Sequence, residues 1–135
     1  MLQRTKFKIT VYAVIFINLT VLLSFWIYWA SAQARDYERL GDLKVWQSVL
    51  SYYYFENGSY VIPNCTVGET LSDCLAQKVG KTTINSINDP LNSGSYRYTV
   101  GSLGDNDYEI QFSLEAGVAG LSRGSYILTK NGIRK

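Results

Sequence analysis

The sequence predicts an α+β fold in which a long N-terminal helix, membrane-spanning in its first half, packs on a small antiparallel sheet of about three strands. Three observations lead to this prediction. An apolar run of 24 residues without a charge, Ile9–Ala32, lies near the N-terminus. A pattern typical of an amphipathic helix follows it. The last third of the chain then alternates apolar and polar residues with a period of two.

The apolar run is long enough to cross a bilayer once. At about 1.5 Å per residue, Ile9–Ala32 spans roughly 36 Å, whereas the hydrocarbon core of a bilayer is about 30 Å thick. Trp26, Tyr28 and Trp29 lie near the end of the run. Aromatic side chains at that position are typical of the belt at the level of the lipid headgroups. The run therefore predicts a single transmembrane helix.

The charges around the run predict its orientation. Arg4, Lys6 and Lys8 precede it without an acidic residue among them, whereas the charges that follow from Arg35 onward are balanced. The positive-inside rule places such an N-terminus in the cytoplasm. We therefore expect residues 1–34 to form a cytoplasmic tail and transmembrane helix, and residues 35–135 to form an extracytoplasmic domain.

A cleaved signal peptide is the alternative interpretation of the same segment. Ala30-Ser31-Ala32 and Ala32-Gln33-Ala34 both fit the small-residue pattern of a signal-peptidase site. The apolar core, however, exceeds the 7 to 15 residues that are usual for a signal peptide, and no helix breaker precedes the small residues. We favour the retained anchor, and both interpretations export the same domain.

The composition of the exported part argues against several functions. Without Arg4, Lys6 and Lys8 the chain has 10 basic and 11 acidic residues, so a basic nucleic-acid footprint is not expected. Histidine, the commonest general base, is absent from the sequence. We find no spacing that unites a nucleophile, a base and an orienting group, so the sequence predicts neither an enzyme nor a bound cofactor.

The helix is predicted to continue beyond the bilayer over residues 35–56. Apolar side chains recur there at steps of three and four residues, which predicts a face packed on the sheet. This packing face comprises Leu40, Leu43, Trp46, Leu50, and Tyr53 or Tyr54. The opposite, polar side comprises Arg39, Asp42, Lys44, Gln47 and Ser51. Asn57-Gly58 is expected to end the helix, because glycine readily adopts the left-handed conformation that follows a helix C-terminus.

A loop with two cysteines is expected between the helix and the sheet, over residues 59–87. In an exported domain, Cys65 and Cys74 are most simply interpreted as one disulfide. It would close a short ring and hold a short helical element expected over Leu71–Val79.

The sheet is expected within residues 95–130. Period-two alternation predicts strands over Tyr96–Val100, Tyr108–Glu115 and Ser125–Thr129. Turns rich in glycine are expected at residues 93–95, 101–106 and 117–124. The apolar face of such a sheet needs a cover, which the packing face of the helix can provide.

Two weaker signals point to specific sites. Asn18 lies within the apolar run and could hydrogen-bond to a neighbouring transmembrane helix. Asp105, Asp107 and Glu109 form an acidic turn that could bind calcium, although the spacing lacks the glycine and distal glutamate of an EF-hand loop. A solvated hairpin turn is the interpretation that we favour for these three residues.

Several segments, in their order along the chain, resemble the type IV pilin and type II secretion pseudopilin superfamily. Tyr53-Tyr54-Phe55-Glu56-Asn57-Gly58-Ser59-Tyr60 is similar to the run that ends the long helix in that superfamily. Asn88–Tyr98, with Asp89-Pro90 and the later Tyr-x-Tyr, is similar to the segment that opens its sheet. Tyr108–Glu115 and Gly124–Ile133 resemble its C-terminal strands. The resemblance implies a pilin-like fold, a structural role and association with other pilin-like subunits at a bacterial cytoplasmic membrane.

The start of the chain departs from the pilin pattern. Members of the superfamily enter the apolar helix through a glycine, where prepilin peptidase cuts, and carry an acid at mature position five. Here the run opens Lys6-Phe7-Lys8-Ile9, and no acid precedes Asp36. We therefore expect an uncut, anchored protein, an accessory or diverged subunit of a type IV pilus or type II secretion-like assembly. The alternative is a secreted or anchored binding domain outside any filament, with ligand contacts in the loops Tyr60–Val79 and Ser102–Asp107.

Overall fold

A computed structural model describes residues 2–76 and 87–135, with the backbone alone for residues 2–7. The chain divides into two compact units, Met1–Ala32 and Gln33–Lys135. The helices and strands are α1 (Leu2–Asn57), α2 (Leu71–Ala76), β1 (Thr99–Leu103), β2 (Tyr108–Val118), β3 (Leu121–Thr129) and β4 (Gly132–Arg134). The fold class is α+β: one long N-terminal helix packs on a four-stranded antiparallel sheet.

Helix α1 contains the apolar run. The large side chains of the run are exposed in the structure, and the helix is long and apolar enough to be a candidate membrane span by length and composition. The hydroxyl groups of Thr20 and Ser24 donate to carbonyl oxygens one turn earlier, so their polar atoms are satisfied within the helix. The backbone is helical without a break from Ala30 to Asp36.

The C-terminus of α1 forms as predicted. Asn57 is the last helical residue, and Gly58 follows it with a φ of 71°. The Gly58 amide donates to the carbonyl oxygen of Tyr54 at 2.7 Å. A side chain at residue 58 would strain this left-handed conformation, which explains why glycine ends the helix.

The sheet has four strands in the order β1-β2-β3-β4, whereas about three were expected over residues 95–130. The first strand begins at Thr99 rather than at Tyr96, and it continues through Gly101 into a segment that was expected to be a turn. The turn predicted over residues 117–124 is shorter in the structure, because it comprises only Ala119 and Gly120 and β3 already begins at Leu121. Strand β4 was missed because three residues are too few to show a period of two.

The outer edge of β1 is covered by the loop that follows α1. Gly68 donates to the carbonyl oxygen of Val100 at 2.8 Å, and Leu71 donates to that of Tyr98 at 2.9 Å. A disulfide joins Cys65 to Cys74 and closes this loop, as predicted. The expected short helical element is α2, and its predicted end at residues 77–79 lies outside the described residues.

The core lies between α1 and one face of the sheet. Of the predicted packing residues, Leu43, Trp46, Leu50 and Tyr53 are buried, and Leu40 is half-buried against them. The sheet contributes Val100, Tyr108, Ile110, Phe112, Leu114, Tyr126 and Leu128, and Tyr98, directly before β1, packs with them. The indole nitrogen of Trp46 is the one buried side-chain polar atom without a hydrogen-bond partner in the described part of the chain.

Candidate functional site: a buried charge cluster on helix α1

Arg39, which was expected on the polar side of the helix, is fully buried. Its Nε donates to Asp89 Oδ2 at 2.6 Å, and its Nη1 donates to Asp36 Oδ1 and to Glu115 Oε1, each at 2.7 Å. The prediction for Arg39 is wrong because a polar position in a helical pattern does not distinguish a solvated charge from a paired, buried one. The cluster therefore joins α1 to β2 and to the loop before β1.

Asp36 connects α1 to an irregularity in β2. The register between β2 and β3 shifts between Leu114 and Gly117. The amide groups of Glu115, Ala116 and Gly117 all donate to the Asp36 carboxylate, at 2.8 to 2.9 Å. One helix side chain thus supplies acceptors for three successive amides of the bulged strand, and this fixes the strand against the helix.

Glu115 accepts hydrogen bonds from both arginines of the cluster. Arg35 binds it through two hydrogen bonds, Nε to Oε1 at 2.8 Å and Nη2 to Oε2 at 2.6 Å, and Arg39 adds a third. The hydrogen bonds from Arg35 lower the pKa of Glu115, and those from Arg39 act in the same direction against the effect of burial. Glu115 is therefore held as a carboxylate.

Asp89 fixes the segment that precedes the sheet. Its two carboxylate oxygens accept from Arg39 Nε and Nη2, and Oδ1 also accepts from the Leu91 amide at 2.9 Å. The Arg39 guanidinium lies 4.9 Å from the centre of the Tyr96 ring. The Asn88–Tyr98 segment, which carries part of the pilin resemblance, is thereby bound to the helix.

A second, partly buried pair lies one turn further along α1. The Tyr98 hydroxyl donates to Asp42 Oδ2 at 2.8 Å. Burial raises the pKa of Asp42, and the hydrogen bond from Tyr98 opposes that rise. Burial and the neighbouring Asp42 both raise the pKa of Tyr98, so this tyrosine remains a hydrogen-bond donor.

The cluster is suited to position chain segments. Its arginine nitrogens and carboxylate oxygens are engaged with one another and with backbone amides. Burial by itself would lower the pKa of Arg39, but the hydrogen bonds that Arg39 donates to Asp89, Glu115 and Asp36 raise it overall. Buried ion pairs of this kind add little net stability, although breaking one is costly. Their effect is to select one arrangement of helix, loop and strand.

Sequence reasoning missed the cluster as a unit. The signal that could have found it is Asp36 followed three residues later by Arg39, a pair of opposite charges at the edge of the apolar face. The distant partners Asp89 and Glu115 carry no such signal, because their contacts with the helix depend on the tertiary fold.

The predicted calcium ligands are separate in the structure. Asp105 accepts from the Ser59 hydroxyl, Asp107 from the Tyr108 amide, and Glu109 pairs with Arg134. Among the described residues, the group of acidic and sulfur side chains close enough to share a metal is Cys65, Glu69 and Cys74, and both cysteines there are in the disulfide. Calcium binding by Asp105, Asp107 and Glu109 stays the less favoured interpretation, beside the solvated hairpin turn.

Two further predicted features can be located. The Asn18 amide donates to the carbonyl oxygen of Val14 at 2.7 Å, and contact with another helix remains a prediction. The two loops of the binding-domain alternative meet, because the Tyr60 amide donates to the Gly104 carbonyl oxygen at 3.2 Å. Part of the first loop, residues 77–79, lies outside the described residues.

Comparisons with protein-family models, with curated proteins and with solved structures gave no match to this chain. The geometry defines the class of the protein: an α+β domain built on the continuation of a long, apolar N-terminal helix.

Proposed function

We propose that this chain is a single-pass, pilin-like structural protein that stays anchored in the cytoplasmic membrane with its domain outside the cell or in the envelope. One observation carries the proposal: a single helix provides both the exposed apolar run and the buried packing face of the domain. Such a helix serves both as a membrane anchor and as the scaffold of the domain. The antiparallel sheet that packs on it is consistent with the resemblance of the segments after Arg35 to pilins and pseudopilins.

The charged tail supports retention in the membrane. Moving Arg4, Lys6 and Lys8 through a bilayer costs roughly 2.5–3.5 kcal/mol per charge on the insertion scale. An uncut chain would meet this cost on extraction into a filament. We therefore assign the protein an accessory or diverged role in a type IV pilus or type II secretion-like assembly.

Exposed aromatic side chains on α1 offer a surface for neighbouring subunits. Tyr52 and Phe55 are 57% and 86% exposed and lie outside the core. Aromatic residues are enriched at protein interfaces. These positions support a role in contact with pilin-like subunits or with other components of the assembly.

The state of the native N-terminus tests the proposal. Membranes from cells that express the chain are washed with alkaline carbonate, and the retained protein is sequenced from its N-terminus. We expect the protein in the membrane pellet with a start at Met1 or Leu2. A start near Phe7 or Ile9 would contradict the uncut anchor, and a soluble product that starts at Gln33 or Arg35 would favour the secreted binding domain.

A second experiment tests the orientation of the chain in the membrane. Protease added outside spheroplasts should digest the domain of the wild-type protein and leave the tail intact. Replacing both lysines of the tail, Lys6→Glu and Lys8→Glu, removes most of the positive charge on which the orientation depends. This variant should lose part of that protease sensitivity, whereas Lys44→Glu with Lys130→Glu, which changes charge equally within the domain, should not.

A further inference from the structure

We propose that the turn between β2 and β3, residues 118–121, and the nearby Arg123 together dock on the anionic headgroups of the bilayer that anchors the chain. This inference rests on the proposed membrane anchoring and adds a second, peripheral contact between the domain and lipid.

The turn has an unusual composition for its conformation. Ala119 and Gly120 form the two-residue connection, and both have positive φ, 54° and 83°. Such connections favour Asn-Gly or Asp-Gly, because asparagine and aspartate tolerate this conformation and bind water. Ala119 is exposed, and alanine brings neither advantage. Val118 is buried and Leu121 packs against the core, so the exposed part of the turn is Ala119-Gly120, which offers water no polar side chain.

The cluster holds this turn beside the first helical residues beyond the predicted span. Asp36 accepts from the Gly117 amide at 2.8 Å, and Gly117 immediately precedes Val118. Asp36 lies two residues after Ala34, which corresponds to about 3 Å along the helix axis. The headgroup layer on each side of a bilayer is roughly 5–8 Å thick. The turn is therefore bound to a part of the helix that is expected at headgroup depth.

A cavity of about 610 Å³ adjoins the turn. Ala119 and Leu121 line it from the sheet, and Tyr37 and Leu40 line it from α1. Tyr37 is 62% exposed, and tyrosine is typical of the membrane interface because its ring is apolar and its hydroxyl is polar. The turn and Tyr37 thus form one amphipathic surface.

The charge of the neighbouring strand complements an anionic membrane. Residues 116–135 contain Arg123, Lys130, Arg134 and Lys135 and no acidic residue. The preceding acid, Glu115, is paired with Arg35 and Arg39. Arg123 is exposed two residues beyond Leu121. A basic residue close to an anionic leaflet strengthens binding about fivefold, so anionic lipid is the occupant that the turn and Arg123 fit.

The far end of β3 provides the control position. Thr129 lies about 26 Å along the strand from Leu121 at the usual strand rise. Its carbonyl oxygen accepts from Gln47 at 3.4 Å, and Gln47 follows Asp36 by eleven residues, or about 16 Å of helix. The connection between β3 and β4, with Lys130 and the exposed Asn131, should therefore stay in water.

Nitroxide labels test the contact in the full chain with the disulfide intact. Ala119→Cys and Asn131→Cys are labelled separately and reconstituted in phosphatidylcholine, with or without phosphatidylglycerol. With phosphatidylglycerol present, we expect the label at 119 to be accessible to oxygen and shielded from a water-soluble nickel complex. The label at 131 should be open to the nickel complex in both lipids. Arg123→Ala should lower the ratio of docked to undocked label at 119 about fivefold, and Lys130→Ala should leave that ratio unchanged.

Three outcomes would overturn the proposal. The label at 119 could be as open to the nickel complex as the label at 131, which excludes docking. Its shielding could be equal in both lipids and insensitive to Arg123→Ala, which excludes recognition of anionic headgroups. Shielding that rises with the protein-to-lipid ratio would identify a second copy of the chain as the occupant. Failure of the anchor itself would appear separately, as protein lost from the vesicles in alkaline carbonate.

Discussion

Arg39 has no exposed surface, and the residues around it explain how a cation is kept there. Three carboxylates, from Asp36, Asp89 and Glu115, accept hydrogen bonds from its guanidinium group. Arginine suits this position because its planar group donates in several fixed directions and stays charged. Each carboxylate belongs to a different segment, so one side chain connects three parts of the fold.

Removal of Arg39 should therefore destabilise the domain strongly. Arg39→Met keeps much of the side-chain length and leaves buried carboxylates without their cation, and we expect the free energy of unfolding to fall by about 3–5 kcal/mol. Urea unfolding of the protein in detergent, followed by near-ultraviolet circular dichroism, measures the change. Arg35→Met is the matched control, because the Arg35 side chain is 26% exposed and Arg39 still pairs with Glu115. A loss of about 1 kcal/mol or less is expected there. Equal losses in both variants would contradict the central role of Arg39.

Acid should weaken the cluster through Glu115. Hydrogen bonds from Arg35 lower its pKa below the ordinary value of about 4.5, so between these two values the unfolded chain binds more protons than the folded one. The stability contributed by Glu115 is present above about pH 4.5 and is lost as the pH falls through the folded pKa. Thermal unfolding at a series of pH values should show this loss, and Glu115→Gln should make the acid limb shallower.

Asp42 should act in the opposite direction. Burial raises its pKa in the folded state, so the folded chain binds more protons and the contribution of Asp42 declines as the pH rises. In the same pH series, Asp42→Asn should therefore make the acid limb steeper. An acid limb that is unchanged in both variants would show that neither carboxyl couples to folding.

At the scale of elements, glycines in α1 and β2 serve different purposes. A Cβ atom added to Gly41 would meet nothing within 4 Å, whereas one added to Gly117 would lie 2.5 Å from the Leu121 carbonyl oxygen. Gly117 also has a φ of 90°, in the region that favours glycine. Gly41 is therefore dispensable for the helix, and Gly117 is required by the bulge that Asp36 binds.

Alanine substitutions should separate these two glycines. Gly41→Ala should raise the free energy of unfolding by about 0.5–1 kcal/mol, because glycine loses more backbone entropy in a helix interior. Gly117→Ala should lower it by about 2 kcal/mol or more, because of the backbone strain and the short contact. Both are measured by urea unfolding. A stabilising effect of Gly117→Ala would contradict the described bulge.

The sequence predicted those elements whose signals are local. The end of α1 at Asn57-Gly58 and the burial of Leu43, Trp46 and Leu50 follow from a helix stop signal and a helical period. The start of β1 at Thr99 was not predictable in this way, because it depends on where the pairing with Gln111 of β2 begins. The burial of Arg39 depends likewise on partners 50 and 76 residues away.

At the scale of the whole molecule, the core and the charge cluster both belong to the second unit. Gln33–Lys135 contains the sheet, the packing face of α1, the disulfide and the residues of the cluster. A unit of about 100 residues can bury enough surface to fold as one domain. The large side chains of residues 9–29, in the apolar run, are exposed and are not part of this core.

We therefore expect residues 33–135 to fold without the apolar run. Expressed alone in an oxidising compartment, this fragment should unfold cooperatively at a urea midpoint close to that of the full chain in detergent. Arg39→Met should destabilise the fragment as much as the full chain, which shows that the same cluster has formed. A fragment with normal far-ultraviolet but no near-ultraviolet circular dichroism would contradict the independence of this unit.

The loop that covers β1 affects how densely these domains can be packed at a surface. An uncovered strand edge offers amide and carbonyl groups to any neighbouring chain and is a common start of aggregation. Here Gly68, Glu69 and Leu71 occupy those groups on β1, and the bond between Cys65 and Cys74 closes the segment that carries them. With the disulfide formed, the β1 edge is therefore closed to strand-to-strand pairing between crowded copies, in addition to any gain in folding energy.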